Sequence, residues 1–213
     1  MDHKQYIERA LATESRPARI NLGPITLHMA LNYMVAAGDA MDQIKRGLFY
    51  GPEKMDKDKL MQALAGTSTL SELLAGMVHN GVHFDDDDVK VFQPESVDPK
   101  AKNLDRSRVN LRLLHAAIGH FTESSEKIRA LLAQYETGEL DVVNYAEEMG
   151  DSNEWYSAIE YDELGLDQTT VRQANLDKLA KRNKGAAFNA EATTTGRDVA
   201  TEREVLEASL ANA

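Results

Sequence analysis

Residues 111–135 have the sequence LRLLHAAIGHFTESSEKIRALLAQY, and residues 140–164 have the sequence LDVVNYAEEMGDSNEWYSAIEYDEL. In both stretches apolar residues recur every three or four positions, which is the period of one face of an α-helix. Residues 27–44 show the same period. Strand-like alternation is confined to residues 82–92, where four consecutive aspartates and two following prolines favour a solvated linker. We therefore predict an all-α protein.

Residues that cap or break helices predict the boundaries in the second half of the chain. Asp105 and Asp167 are residue types favoured at the N-cap of a helix, whereas Gly138 and Gly165 interrupt the apolar period. A polar stretch separates the last two predicted helices. The predicted helices span about residues 105–135, 140–163, 167–182 and 197–210.

Composition narrows the class of protein. The chain has 213 residues, a formal net charge of −11 and no cysteine, which excludes disulfides and thiolate metal sites. No stretch approaches the roughly 20 apolar residues that cross a bilayer, and the N-terminus lacks the apolar run of a signal peptide. A surface this acidic repels nucleic acid, whose binding requires neutralised phosphates. We expect a cytoplasmic protein with neither membrane nor nucleic acid as partner.

The two halves of the chain share a pattern of apolar residues. The tetrapeptide LHMA at residues 27–30 aligns with LHAA at residues 114–117, and the apolar positions that follow coincide at the same offset of 87. Polar positions diverge between the halves, as expected for two copies of one helical hairpin. We predict a tandem duplication, with one unit at residues 1–94 and the other at residues 95–213.

Two pairs of acidic residues lie on the predicted helices of the second half. Glu123 and Glu126 are three residues apart, and so are Glu148 and Asp151, so each pair shares one helix face. Both pairs lie near the apolar stripe, where like charges are unfavourable unless a cation offsets them. Two antiparallel helices that each offer such a pair would form an oxygen-only site suited to Mg²⁺. A solvated acidic face of a structural bundle is the alternative, since the chain has 35 acidic residues.

The sequence around these acids resembles the MazG family of nucleotide pyrophosphohydrolases. The family pattern is ExxE, a gap and then ExxD, matched here by Glu123 to Glu126 and, after 21 intervening residues, by Glu148 to Asp151. LLHAAIGHFTESSE resembles the first core helix of the family, and EEMGDSNEWYSAIEYDELGLD the second. ANLDKLAKR resembles its last bundle helix, and GRDVATEREVLE a C-terminal segment of some phage and bacterial members. The resemblance covers about residues 106–207.

The resemblance implies a fold and an activity. The fold is a MazG-like helical bundle, and the activity is Mg²⁺-dependent hydrolysis of a (deoxy)nucleoside triphosphate to a monophosphate and pyrophosphate, with Mn²⁺ as a substitute metal. Nucleotide-pool control, housecleaning of modified nucleotides and cleavage of an alarmone such as ppGpp are all compatible roles. The implied catalytic residues and metal ligands are Glu123, Glu126, Glu148 and Asp151.

The resemblance also implies residues that contact substrate. Asn175 and Lys178 would hold metal or phosphate, and Trp155 or Tyr156 would lie near the nucleotide, although two core aromatics fit the sequence equally well. Trp155 comes four residues after Asp151, where the family pattern places the aromatic pair three residues after its last acid. A one-residue insertion predicts a bulge in the second helix.

The first half lacks the acidic set. Its equivalent positions hold one acid, Asp39, so we expect no metal there. The loop KRGLFYG at residues 45–51 nevertheless resembles the family's loop between core helices, so Lys45 and Arg46 would reach substrate if the halves formed an internal pseudo-dimer. A decayed copy with solvated Lys45 and Arg46 is the alternative. Because family members usually pair, a homodimer through the helical units is a further expectation.

Other functional motifs are weak or missing. His79 and His83 have a spacing that zinc sites use, but Gly81 lies between them and no third ligand is near in sequence. The run at residues 85–88 lacks the glycine and glutamate of an EF-hand loop, and neither GxxxxGK[ST] nor GxGxxG occurs. A non-catalytic nucleotide-binding or protein-interaction module remains the alternative from a different functional class.

Overall fold

A computed structural model describes residues 2–18, 23–79, 105–183 and 196–210. Every regular element in these ranges is helical, which confirms the predicted all-α class. The predicted linker at residues 82–92, His83 and the aspartates at 85–88 lie outside the described residues. The α-helices are α1 (His3–Leu11), α2 (Pro24–Tyr50), α3 (Lys57–His79), α4 (Leu111–Thr137), α5 (Val142–Gly150), α6 (Ser157–Leu164), α7 (Gln168–Arg182) and α8 (Val199–Leu210).

Three shorter elements complete the description. Turns of 3-10 helix occupy Pro52–Lys54 and Arg106–Arg108, and a π-helical segment, Asp151–Tyr156, joins α5 directly to α6. The π segment confirms the bulge predicted for the second core helix, because a π turn accommodates one extra residue inside an α-helix.

Helix α4 begins later than predicted. Asp105 accepts a hydrogen bond from the backbone N–H of Ser107 and caps the short 3-10 turn instead. The N-cap of α4 is Asn110, whose side chain accepts from the backbone N–H groups of the next turn at 3.0 and 3.1 Å. Asparagine is as good an N-cap as aspartate, so the nearer residue begins the helix. Gly138 ends it as predicted, with φ +86°.

The remaining boundaries of the second half follow local capping. Asp141 caps α5 through two backbone N–H groups at 3.0 and 3.1 Å, and Asp167 caps α7 through the N–H of Thr170 at 2.9 Å. Gly165 ends α6 with φ +63°, in the left-handed region that glycine adopts without strain. Asp198 bonds the backbone N–H of Thr201 at the start of α8. These caps agree with the predicted boundaries to within two residues.

The chain divides into two compact units, and the division differs from the predicted halves at residues 1–94 and 95–213. One unit contains α1 together with α4 to α8, and the other contains α2, α3 and both 3-10 turns. Helix α1 therefore belongs with the acidic half of the sequence. The ring of His3 meets that of Tyr161 on α6 edge-to-face, with 5.3 Å between centroids.

The unit with α1 is held together by small apolar residues and by ion pairs. Ala116 on α4 and Ala158 and Ile159 on α6 are almost fully buried, so these helices approach closely. The guanidinium of Arg112 forms a bidentate pair with Glu14 at 2.7 and 2.8 Å. Its third nitrogen donates to Glu163 at 2.7 Å. Arg112 thus joins the segment after α1 to α4 and α6.

The other unit is a hairpin of α2 and α3. Its buried core contains Ile25 and Met29 of α2, with Leu70 and Leu74 of α3 packed against them. The buried side chain of Gln43 accepts a hydrogen bond from the backbone N–H of Asp56 at 2.9 Å, just before α3 begins. No helix among the described residues is long and apolar enough to span a membrane.

Candidate metal centre

Three of the four predicted ligands converge at one place. Glu123 lies in the middle of α4, Glu148 in the last turn of α5, and Asp151 at the first position of the π segment. One carboxylate oxygen from each lies within 4.8 Å of the others. The i, i+3 spacing places Glu148 and Asp151 on one face, and the packing of α4 against α5 and the π segment brings Glu123 to them.

The burial of these acids is uneven. Glu148 is only 6% exposed, Glu123 is half-buried and Asp151 is exposed. No lysine or arginine among the described residues forms an ion pair with any of the three. A buried carboxylate without a cation is costly, so this arrangement is unusual for a purely structural site.

The acidic neighbours change the protonation of Glu148. They raise the pKa of this carboxyl to about 7, chiefly because its protonated form donates a hydrogen bond to Glu123. Burial and the negative charges of Glu126, Glu123 and Glu147 raise it further. Since like charges so close together cannot all ionise freely, a divalent cation bound here would restore the ionised form.

Glu126, the fourth predicted ligand, lies at the edge of this group. Its charge acts on Glu148, but its carboxylate is not among the three that converge. Glu126 instead lines a polar cavity of about 360 Å³ that it shares with Arg129 and Asn144. Its carboxylate therefore lies outside the converging group but near enough for its charge to act on Glu148.

The predicted aromatic residues lie next to the acidic group. The rings of Trp155 and Tyr156 meet edge-to-face at 4.7 Å, and both contact the ring of His115 at under 6 Å. Tyr156 lies directly over Gly119, where any side chain would overlap its ring. Burial first, and then the charges of Glu123 and Asp151, raise the pKa of the Tyr156 phenol, so this residue faces the carboxylates.

Several residues at the site carried no recognisable signal in the sequence. The Nε1–H of Trp155 donates to the hydroxyl of Thr13 at 2.9 Å, so the segment after α1 orients the indole. His120 lies 5.9 Å from the ring of Tyr156, and its Nε2 is 3.2 Å from a carboxylate oxygen of Glu160. In the sequence, His120 is one histidine on a helix and Thr13 lies in a short polar segment, and neither pattern indicates a particular contact. These contacts are therefore visible only in the fold.

The other predicted substrate residues lie on α7 and near the end of α2. Asn175 is exposed on α7, and Lys178 is half-buried there; α7 packs chiefly against α8. Lys45 and Arg46 belong to the other compact unit, where both pair with Asp42 at 2.6 and 2.7 Å. Their predicted roles in binding substrate stay predictions.

Comparisons with known proteins leave the family open. Protein-family models, curated proteins and solved structures all lack a match to this chain.

Proposed function

We propose that the chain is a Mg²⁺-dependent nucleoside triphosphate pyrophosphohydrolase of MazG type. The proposal rests on one observation above all: Glu148 is buried beside Glu123 and Asp151 with no cationic side chain paired to the group among the described residues. A structural bundle has no use for this arrangement, since a buried carboxylate among like charges lowers stability.

The three converging acids fit a hard divalent cation. All donors are carboxylate oxygens, which Mg²⁺ prefers and Mn²⁺ accepts, and histidine is absent from the group. Glu123, Glu148 and Asp151 would hold the metal, with Glu126 as a further ligand or as a base. When bound, the metal would neutralise phosphate oxygens and make water easier to deprotonate.

The residues of the chain account for the remaining requirements of the reaction. A water oxygen forms a bond to the α-phosphorus, the bond from that phosphorus to the α,β-bridging oxygen breaks, and pyrophosphate leaves. Glu126, which lies outside the converging group, would accept the proton of the attacking water. Tyr156 and His120 line the neighbouring surface and orient the nucleotide.

The test is pyrophosphate release from a panel of (d)NTPs and ppGpp with Mg²⁺. We expect release by the wild type and at least about a hundredfold loss in Glu148→Gln, because the variant removes a ligand. Glu136→Gln is the matched control, since Glu136 is an exposed acid on α4 outside the acidic group. Equal release by the wild type and Glu148→Gln would refute the assigned site. No release from any nucleotide would favour the non-catalytic module.

Pairing of helical units belongs to the same proposal, as an internal pseudo-dimer or as a homodimer. It is supported by large apolar side chains that stay exposed, among them Leu48 and Phe49 at the end of α2 and Ile128 and Tyr135 on α4. Large apolar side chains that cluster at the surface are typical of association surfaces. Light scattering during size exclusion measures the oligomeric state directly, and a strict monomer at all concentrations would rule out the homodimer.

A further inference from the structure

A second cavity lies in the same compact unit, towards the beginning of α4. Its volume is about 530 Å³, within the range of small-molecule sites. One wall is the segment at residues 15–18, which follows α1, and the other is the first two turns of α4, including Leu114, His115 and Ile118. The cavity is thus formed by residues nearly a hundred positions apart in the sequence.

The wall after α1 is fixed by two contacts at its start. Glu14 has a fully buried side chain and is paired with Arg112, and Thr13 accepts the hydrogen bond from Trp155. Because both contacts precede residue 15, the segment at residues 15–18 leaves α1 from a fixed point. The start of this cavity wall is therefore held by contacts within the unit.

The lining of the cavity suits a flat, largely apolar ring. Pro17, Leu111 and Leu114 supply an apolar surface, and the ring of His115 provides an aromatic edge that also touches Trp155. The smaller cavity on the other side of the acidic group is lined by carboxylates and Arg129, which do not favour an aromatic ring. Stacking on aromatic side chains binds bases without regard to their identity.

The cavity lies at the right distance from the acids along α4. His115 and Ile118 precede Glu123 by eight and five residues, which corresponds to about 12 and 7.5 Å along the helix axis. A ribose and its phosphates bridge a gap of this order. The ring of Tyr156 contacts that of His115, and the charge of Glu123 acts on its phenol.

We propose that this cavity is the nucleobase subsite of the chain, with residues 15–18 and the first turns of α4 enclosing the base. The orientation of the triphosphate, with its phosphates at Glu123, rests on the proposed function. The binding of a base in the cavity is measured separately, because the lining residues are distinct from the three converging acids.

Fluorescence of Trp155 tests the subsite, because this is the only tryptophan in the chain and it touches His115. The probes are the four deoxynucleosides at millimolar concentration without metal. Ala18→Phe places a ring in the cavity from an exposed position, and Ala117→Phe adds the same ring to an exposed position of α4 that does not line it. Pyrophosphate release is measured separately on the same proteins.

We expect at least one deoxynucleoside to change Trp155 emission in a saturable way. Its affinity should fall about tenfold or more in Ala18→Phe and stay within about twofold in Ala117→Phe. Binding of a nucleoside with no pyrophosphate release would support the subsite while the proposed hydrolysis fails. No saturable change with any nucleoside, or equal affinities in wild type and Ala18→Phe, would overturn the subsite even if hydrolysis is observed.

Discussion

Glu148 differs from an ordinary surface acid in both its burial and its neighbours. The residue is 6% exposed and its carboxylate lies among acids, so in the absence of a cation it lowers the stability of the fold. A residue that is costly for stability and useful for binding is typical of functional sites. We therefore expect substitution of Glu148 to increase stability while it abolishes function.

We predict that Glu148→Gln raises the melting temperature of the metal-free protein at about pH 8, because it removes a buried charge facing like charges. The same variant should lose the increase in melting temperature that Mg²⁺ produces in the wild type, since a metal that binds only the folded state must stabilise it. Thermal melts with EDTA and with Mg²⁺ measure both effects. A wild type whose melting temperature does not change with Mg²⁺ would argue against the metal centre. Glu136→Gln, which changes an exposed acid outside the acidic group, serves as the control.

The stability of the metal-free protein should also depend on pH in a specified direction. The pKa of Glu148 is raised from its ordinary value of 4.5 to about 7 in the folded state, so the folded form binds this proton more tightly than the unfolded chain. Its contribution is fully present below about pH 4.5 and is lost as pH rises through about 7. As pH rises from about 4.5 to about 7, the melting temperature of the wild type should therefore fall relative to that of Glu148→Gln. Parallel curves for the two proteins would show that Glu148 has an ordinary pKa.

At the scale of the elements, the π segment sets which residues share a face. The extra residue inside Asp151–Tyr156 lets Glu148 and Asp151 face α4 while Ile159, further along the same rod, is fully buried. In a regular α-helix each residue advances by about 100°, so one residue more or fewer would turn one of the two groups away. Because of the bulge, one continuous helical segment both directs the two acids towards α4 and buries Ile159 in the core.

Arg112 joins three elements of one unit, and its loss should be costly. We predict that Arg112→Met lowers the free energy of unfolding by about 1.5–3 kcal/mol, because the buried carboxylate of Glu14 loses its charged hydrogen-bond donor. Urea denaturation measures the change. The matched control is Arg203→Met, which removes an exposed i, i+4 pair with Glu207 and should change stability by less than about 0.5 kcal/mol. Equal effects of the two substitutions would mean that the Arg112 pairs contribute little.

At the scale of the whole molecule, the unit that holds the acids is assembled from both ends of the sequence. Helix α1 packs on α6 and on the π segment, and the residues after it bond Trp155 and Arg112. The intervening hairpin of α2 and α3 forms a unit of its own. The duplication inferred from the sequence thus does not coincide with the way in which the chain divides in space.

We predict that a fragment of residues 95–213 is less stable than the acidic half of the intact chain. Without α1 it exposes the surface around Tyr161 and leaves the charge of Arg112 without Glu14. Circular dichroism should show a lower melting temperature and weaker cooperativity, and a synthetic peptide of residues 1–18 should reverse both changes in part. Cooperative melting of the fragment at the temperature of the intact chain would show that α1 is dispensable.

The sequence alone was sufficient for those features that contiguous residues encode. The apolar period predicted the helices, Asp167, Gly138 and Gly165 marked boundaries, and the one-residue shift before Trp155 predicted the bulge. Each depends on hydrogen bonds and side-chain directions within a few residues, so the information is local. Asp105 failed as a cap because a second capping residue, Asn110, lay nearer the apolar period.

The tertiary structure decided which residues lie deep and which meet. It buries Glu148 and exposes Asp151, although the sequence gives no reason to distinguish these two members of one i, i+3 pair. It also assigns α1 to the acidic unit and lays residues 15–18 against the start of α4. Burial depends on chain segments that are distant in sequence, and their pairing is settled by the packing of whole helix faces, which no local pattern specifies.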